Sequence, residues 1–142
     1  TYCAQDKALY VADTDNNEIR KVTLEGVVTT IAGSLEAGYA DGPAATARFN
    51  HPAGIVCDNV GNLYIADTNN NLIRELATVG TVSTLAGTTD AGTVDGVGAA
   101  ARFSHPGDIT FDPVTGALYV VDFDSNDIRK VTTSSQGVTS KP

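Results

Sequence analysis

The run Leu63-Tyr64-Ile65-Ala66-Asp67-Thr68-Asn69-Asn70-Asn71-Leu72-Ile73-Arg74 decides how this 142-residue chain folds. It has a counterpart upstream, Leu9-Tyr10-Val11-Ala12-Asp13-Thr14-Asp15-Asn16-Asn17-Glu18-Ile19-Arg20. A third copy lies downstream, Leu118-Tyr119-Val120-Val121-Asp122-Phe123-Asp124-Ser125-Asn126-Asp127-Ile128-Arg129. The copies start 54 and 55 residues apart. A second block keeps the 54-residue spacing: Ala47-Arg48-Phe49-Asn50-His51-Pro52 matches Ala101-Arg102-Phe103-Ser104-His105-Pro106, and Asp41-Gly42 matches Asp95-Gly96. Self-similarity at a fixed period signals a repeat architecture.

Within one period the sequence predicts four short strands, at residues 55–57, 63–66, 72–76 and 81–85. Polar turns rich in Asn, Asp and Gly separate them, at 59–62, 67–71 and around Gly80. Along the third strand Leu72, Arg74 and Leu76 point one way and Ile73 and Glu75 the other. No segment sustains a helical period; residues 43–49 read as about one helical turn that opens on Pro43. Short strands at regular spacing predict an all-β fold. Four antiparallel strands per repeat make a β-propeller blade. The expectation is therefore about three four-stranded blades, incomplete at both ends. Blade 1 takes residues 1–33 and lacks the start of its first strand. Blade 2 takes 52–87, and blade 3 takes 106–142 with an incomplete last strand. Linker loops at 34–51 and 88–105 join them.

The Leu-Tyr-Ile-Ala-Asp and Asn-Asn-Leu-Ile-Arg runs, with His51-Pro52-Ala53-Gly54-Ile55-Val56, resemble the NHL repeat. The linkers with Asp-Gly and Ala-Arg-Phe before His-Pro resemble the long-loop variety of extracellular NHL arrays. The resemblance covers essentially the whole chain. It implies a β-propeller whose known roles are mostly recognition, with a minority of lyases and lactonases.

Net charge is −8, from 9 basic and 17 acidic residues. Such a chain offers no basic footprint for nucleic acid or an anionic membrane, and no apolar run is long enough to cross a bilayer. Methionine is absent, even at position 1, so the sequence reads as processed or as a piece of something longer. Low Lys and high Thr, Gly and Asp suit an extracellular protein, and there is no Asn-x-Ser/Thr sequon. The tail 132–136 resembles a linker or an O-glycosylated stretch. The two cysteines, Cys3 and Cys57, are too few for a disulfide framework. Cys57 in its apolar run reads first as a buried free thiol, with a bridge from Cys3 to some other cysteine as the alternative.

The residues best suited to chemistry are copied with the repeat. Arg20, Arg74 and Arg129 form one series, Arg48 and Arg102 a second, and His51 and His105 a third. A catalytic constellation is normally a unique break in a repeat, so these residues read as framework. An ion pair of Asp41 with Arg48, and of Asp95 with Arg102, is expected to pin each linker. Each histidine is expected to make an ordering hydrogen bond at a strand entry. Asp13, Asp15 and Asn17, with Asp67, Asn69 and Asn71, and Asp122, Asp124 and Asn126, alternate oxygen ligands like a calcium loop. They lack the glycine and the glutamate that complete such a loop, so Asx turns are the expected use and no cofactor is expected. Tyr10, Tyr64 and Tyr119 are expected between blades, and Phe49 and Phe103 to plug each linker against its blade. Among the unrepeated aromatics, Tyr2, Tyr39, Phe111 and Phe123, the expected interface anchors are Tyr2, Tyr39 and Phe123.

Closed propellers have about 4–8 blades. Three leave two apolar flanks, and an exposed strand edge templates pairing with another chain. The sequence thus points to a non-enzymatic structural or interaction module outside the cell. Its partners are further propeller blades, other copies of itself included. One alternative is a subunit of a head-to-tail filament. Another is part of an oligomeric enzyme resembling the propeller lyases and lactonases.

Overall fold

The computed structural model describes residues 1–133 and 137–140. Part of the tail 132–136 therefore lies outside the described residues. Blade 1 is a four-stranded antiparallel sheet of β1 (Tyr2–Cys3), β2 (Ala8–Asp13), β3 (Glu18–Val22) and β4 (Val28–Gly33). The linker then contributes β5 (Gly42–Pro43), and blade 2 follows with β6 (Pro52–Cys57), β7 (Leu63–Asp67), β8 (Leu72–Leu76) and β9 (Thr81–Gly87). Blade 3 repeats the plan with β10 (Gly96–Val97), β11 (Pro106–Phe111), β12 (Ala117–Asp122), β13 (Asp127–Thr132) and β14 (Gly137–Ser140). The fold is all-β, three consecutive blades of a propeller.

Each linker does more than connect. β5 pairs antiparallel with β9, Gly42 opposite Val82, and β10 pairs with β14, Gly96 opposite Val138. Blades 2 and 3 therefore have five strands, not four, with the linker adding the outermost one. The expected helical turn shrinks to one loop, in which Thr46 and Ala47 donate to the Pro43 carbonyl. Pro43 itself lies in β5.

Period-2 alternation decides which side chains meet. Leu63, Ile65, Leu76 and Val82 of blade 2 pack against Tyr10, Ala12, Ile19 and Ala32 of blade 1. The opposite face of the same sheet, Tyr64, Ala66, Ile73 and Leu85, packs against Leu118, Val120, Val131 and Val138 of blade 3. Every residue of β7 is buried because both faces are covered. Burying each large aliphatic side chain contributes about 1.5–3 kcal/mol. The inner strands β6 and β11 approach closely at Gly54, where a Cβ would lie 2.8 Å from the Asp108 Cα. Phe49 and Phe103 are fully buried. Each presses on a glycine of positive φ, Gly33 at +85° and Gly87 at +100°.

Cys57 is not a free thiol. It forms a disulfide with Cys3, and no free cysteine remains. The two residues end equivalent strands, β1 and β6, of adjacent blades, with Cα atoms 5.5 Å apart. In blade 3 the equivalent position holds Phe111, packed against the core between blades 2 and 3. A disulfide closing a 54-residue separation removes freedom mainly from the unfolded chain. The double variant Cys3→Ser/Cys57→Ser is expected to lose about 2–4 kcal/mol of unfolding free energy in urea titrations. Unchanged stability would mean that the bridge constrains little.

Candidate functional site

The most built feature is a buried arginine at the centre of blades 2 and 3. Arg74 on β8 has a fully buried guanidinium. Its Nη1 donates to the Asp67 carboxylate at 2.7 Å and to the Arg48 carbonyl at 3.1 Å. Its Nη2 donates to the Asp41 carboxylate at 2.6 Å and to the Ala40 carbonyl at 2.9 Å. The guanidinium also lies over the rings of Phe49 and Tyr39 at 5.1 and 5.2 Å. Arg129 repeats the set with Asp122, Arg102, Asp95, Val94 and Phe103. A planar fork of donors suits carboxylates and carbonyls fixed around it.

The linker aspartates thus pair with the next blade's Arg74 and Arg129, not with Arg48 and Arg102 as the sequence suggests. The linker folds back across the blade, so the near neighbour in sequence is not the near neighbour in space. Arg48 turns its head onto the Thr46 and Ala47 carbonyls. Arg102 is half exposed, with Asp90 at 4.0 Å.

Burial pushes the Asp67 carboxyl upward, opposed by the Asn50 N–H, the Asn70 amide and Arg74. Asp122 is pushed up by burial likewise, opposed by the Ser104 N–H, Ser125 and Arg129. Burial also drives the Tyr64 phenol up, with Glu75 and Asp58 beside it.

The oxygen-rich turns serve the fold at each point where contacts are made. Asp67 and Asp122 are committed to the arginines. Asn71 has left-handed backbone at φ +57°, and its side chain accepts the His105 N–H at 3.0 Å and donates to the Thr89 carbonyl. Asn17, at φ +56°, accepts the His51 N–H at 2.8 Å. Each asparagine therefore fastens one blade to the entry of the next, and the histidines' ordering bond runs through their own backbone. Asn126 holds the same position at φ +54°. Asp13 accepts from Asn16, and Asn69 donates weakly to Asn50. Asp15 is 3.8 Å from His51, and Asp124 is 2.7 Å from His105. No three His, Cys, Asp or Glu side chains gather among the described residues.

Tyr2, Tyr39 and Phe123 are all exposed. Tyr39 is the lid over Arg74, and Phe123 lies flat on Gly107, where a Cβ would overlap its ring. Tyr64 is buried between blades, while Tyr10 and Tyr119 are half-buried. The sequence reading missed the asparagine fasteners, the Asn50 and Ser104 amides, and the disulfide. Their common cue was the 54-residue offset, which also relates Cys3 to Cys57.

The NHL repeat profile matches residues 49–76, which run from Phe49 through the clamp of Arg74 to the end of β8. The chain belongs to the NHL-repeat family. It is 41% identical over 73 residues to Protein SUPPRESSOR OF QUENCHING 1, chloroplastic, of Arabidopsis thaliana, covering 51% of this chain and 7% of that protein. It is 31% identical over 132 residues to NHL repeat-containing protein 2 of Bos taurus, covering 85% of this chain and 18% of that one. The NHL chain thus spans less than a fifth of these curated relatives. A crystal structure of a Bacteroides thetaiotaomicron protein of unknown function superposes with a TM-score of 0.80 at 27% identity, covering 96% of this chain and 32% of the other.

Truncating Arg74 leaves Asp67 buried without its cation, an uncompensated charge that typically costs about 3–5 kcal/mol. Arg74→Ala is expected to lose that much in equilibrium denaturation, whereas Arg102→Ala should lose less than about 1 kcal/mol. Equal losses would contradict the assignment of the clamp.

Proposed function

We propose that this NHL chain is a non-enzymatic structural and interaction module. Its two open flanks close against further NHL blades, of the same or another chain. One observation carries the reading. Leu9 and Val11 on β2 and Val28 on β4 are 43%, 44% and 49% exposed, although their equivalents Leu63, Ile65 and Val82 are buried between blades. On blade 3, Ile128 is 55% exposed where Ile19 and Ile73 are buried. Val121, opposite Ile128 on the neighbouring strand β12, and Phe123 in the turn between the two strands are exposed as well. The flanks therefore present the two halves of the interface that the molecule already makes twice within itself. Contiguous exposed apolar surface of this kind marks interaction sites.

The two halves differ, so contact between copies would be heterologous, giving rings or open filaments according to the rotation. The repeated arginines, aspartates and histidines serve as framework for these blades. The intact disulfide favours an oxidising, extracellular setting. Tyr2 and Phe123 are offered as supplementary contacts at the flanks.

Sedimentation velocity over a wide dilution range tests this. The chain is expected to associate as concentration rises. Val11→Glu or Ile128→Glu should each abolish association while leaving the melting temperature nearly unchanged. A monodisperse monomer at every concentration would overturn the proposal.

A further inference from the structure

We propose that a cavity beside the outer strand of blade 2 binds a neutral polyhydroxy ring, of the size and chemistry of one pyranose sugar. The site is separate from the two flanks. The inference goes beyond the reading above and does not depend on it.

Both linkers pass the end of β9: the first arrives before blade 2, and the second leaves directly after Gly87. Between them lies a cavity of about 320 Å³. That is at the small end of the roughly 300–1,000 Å³ that ligand sites occupy. Its walls include Tyr39 of the first linker, Leu72 and Thr84 of blade 2, and Thr88, Thr89 and Ala99 of the second linker. Tyr39 breaks the repeat, since the residue 54 positions on is Thr93. Its ring is 51% exposed yet held in place, over the Arg74 guanidinium at 5.2 Å and with its phenol 3.5 Å from the Thr84 hydroxyl. An aromatic plate fixed before a ligand arrives loses little conformational entropy on binding.

The polar groups of the wall decide what fits. Every residue that lines the cavity is uncharged. An anion or a cation would lose water there without meeting an opposite charge. The Thr84 hydroxyl donates to the Asp41 carboxylate at 3.2 Å, and that carboxylate is itself held by Arg74. The Thr88 hydroxyl donates to the Asp90 carbonyl at 3.3 Å. A hydroxyl has one proton and two lone pairs. With both protons committed, the two oxygens have only lone pairs left to offer. They suit a ligand that brings its own O–H donors. Leu72, the Ala99 methyl and the Tyr39 ring add aliphatic and aromatic surface. Uncharged acceptors combined with such surface match a pyranose, whose rim carries hydroxyls and whose faces carry C–H bonds.

The test titrates the intact chain with methyl glucoside, methyl galactoside and methyl mannoside and follows the amides by NMR. At least one glycoside is expected to give saturable shifts at Thr88, Thr89, Gly98 and Ala99, with a dissociation constant in the millimolar range. Ala99→Phe fills the cavity from an exposed position and should abolish those shifts at an unchanged melting temperature. Thr88→Val removes one acceptor and should weaken binding about fivefold. Tyr39→Phe keeps the ring and should hold affinity within about twofold. Inorganic phosphate and methylammonium should give no saturable shift at these amides. Absence of saturable shifts with all three glycosides, undiminished binding by Ala99→Phe, or saturable binding of either charged probe at these amides would overturn the inference. Val11→Glu and Ile128→Glu should leave glycoside binding intact, so loss of blade association and loss of glycoside binding are separately readable.

Discussion

A guanidinium with no access to water can persist only if fixed anions and carbonyls surround it. That constraint shapes blades 2 and 3. Arg74 draws its partners from three places: Asp67 from the preceding strand of its own blade, Asp41 and Ala40 from the arriving linker, and Arg48 from the linker's return. Removing any of these leaves a buried polar group without compensation. The linker is held because the arginine needs it, and the arginine is buried because the linker covers it. Phe49 fills the remaining space beneath the guanidinium. The apolar faces supply the adhesion between blades, while the clamp sets the register in which linker and blade meet.

The asparagine turns extend this logic from within a blade to between blades. Asn71 can take left-handed backbone with little strain, and from there its amide reaches the first residue before β11. A blade therefore fixes the entry point of its successor through one side chain. Gly54 then lets the inner strands come together at a distance no side chain would tolerate. Apolar contact, polar fastening and close backbone approach all act between neighbours, as in other repeat proteins.

Much of the fold was legible in the sequence because three copies of one strand–turn–strand pattern agree and each strand alternates. The two-residue strands β5 and β10 were not. Gly42-Pro43 carries no β-propensity and is extended because the edge of β9 accepts it. The clamp was half legible: the arginines stood out as a series, but the partner of Asp41 lies 33 residues away on the next blade. Closeness in sequence suggested Arg48 instead. The disulfide was hidden by the apolar setting of Cys57, which fits a buried thiol equally well. In the calcium-like turns the ligand pattern was visible, but the direction of each oxygen depends on the arginine or amide it meets.

The bridge from Cys3 to Cys57 encloses all of blade 1 and the first linker in a single covalent ring. Proteolytic nicks at exposed points inside that ring, such as Leu24 or Leu35, leave both pieces joined. A cut in the second linker near Val94, which is also exposed, breaks the covalent link to blade 3. Damage to this molecule is therefore one-sided: its amino-terminal portion is tolerant of cleavage, while its carboxy-terminal blade is held by packing and hydrogen bonds alone.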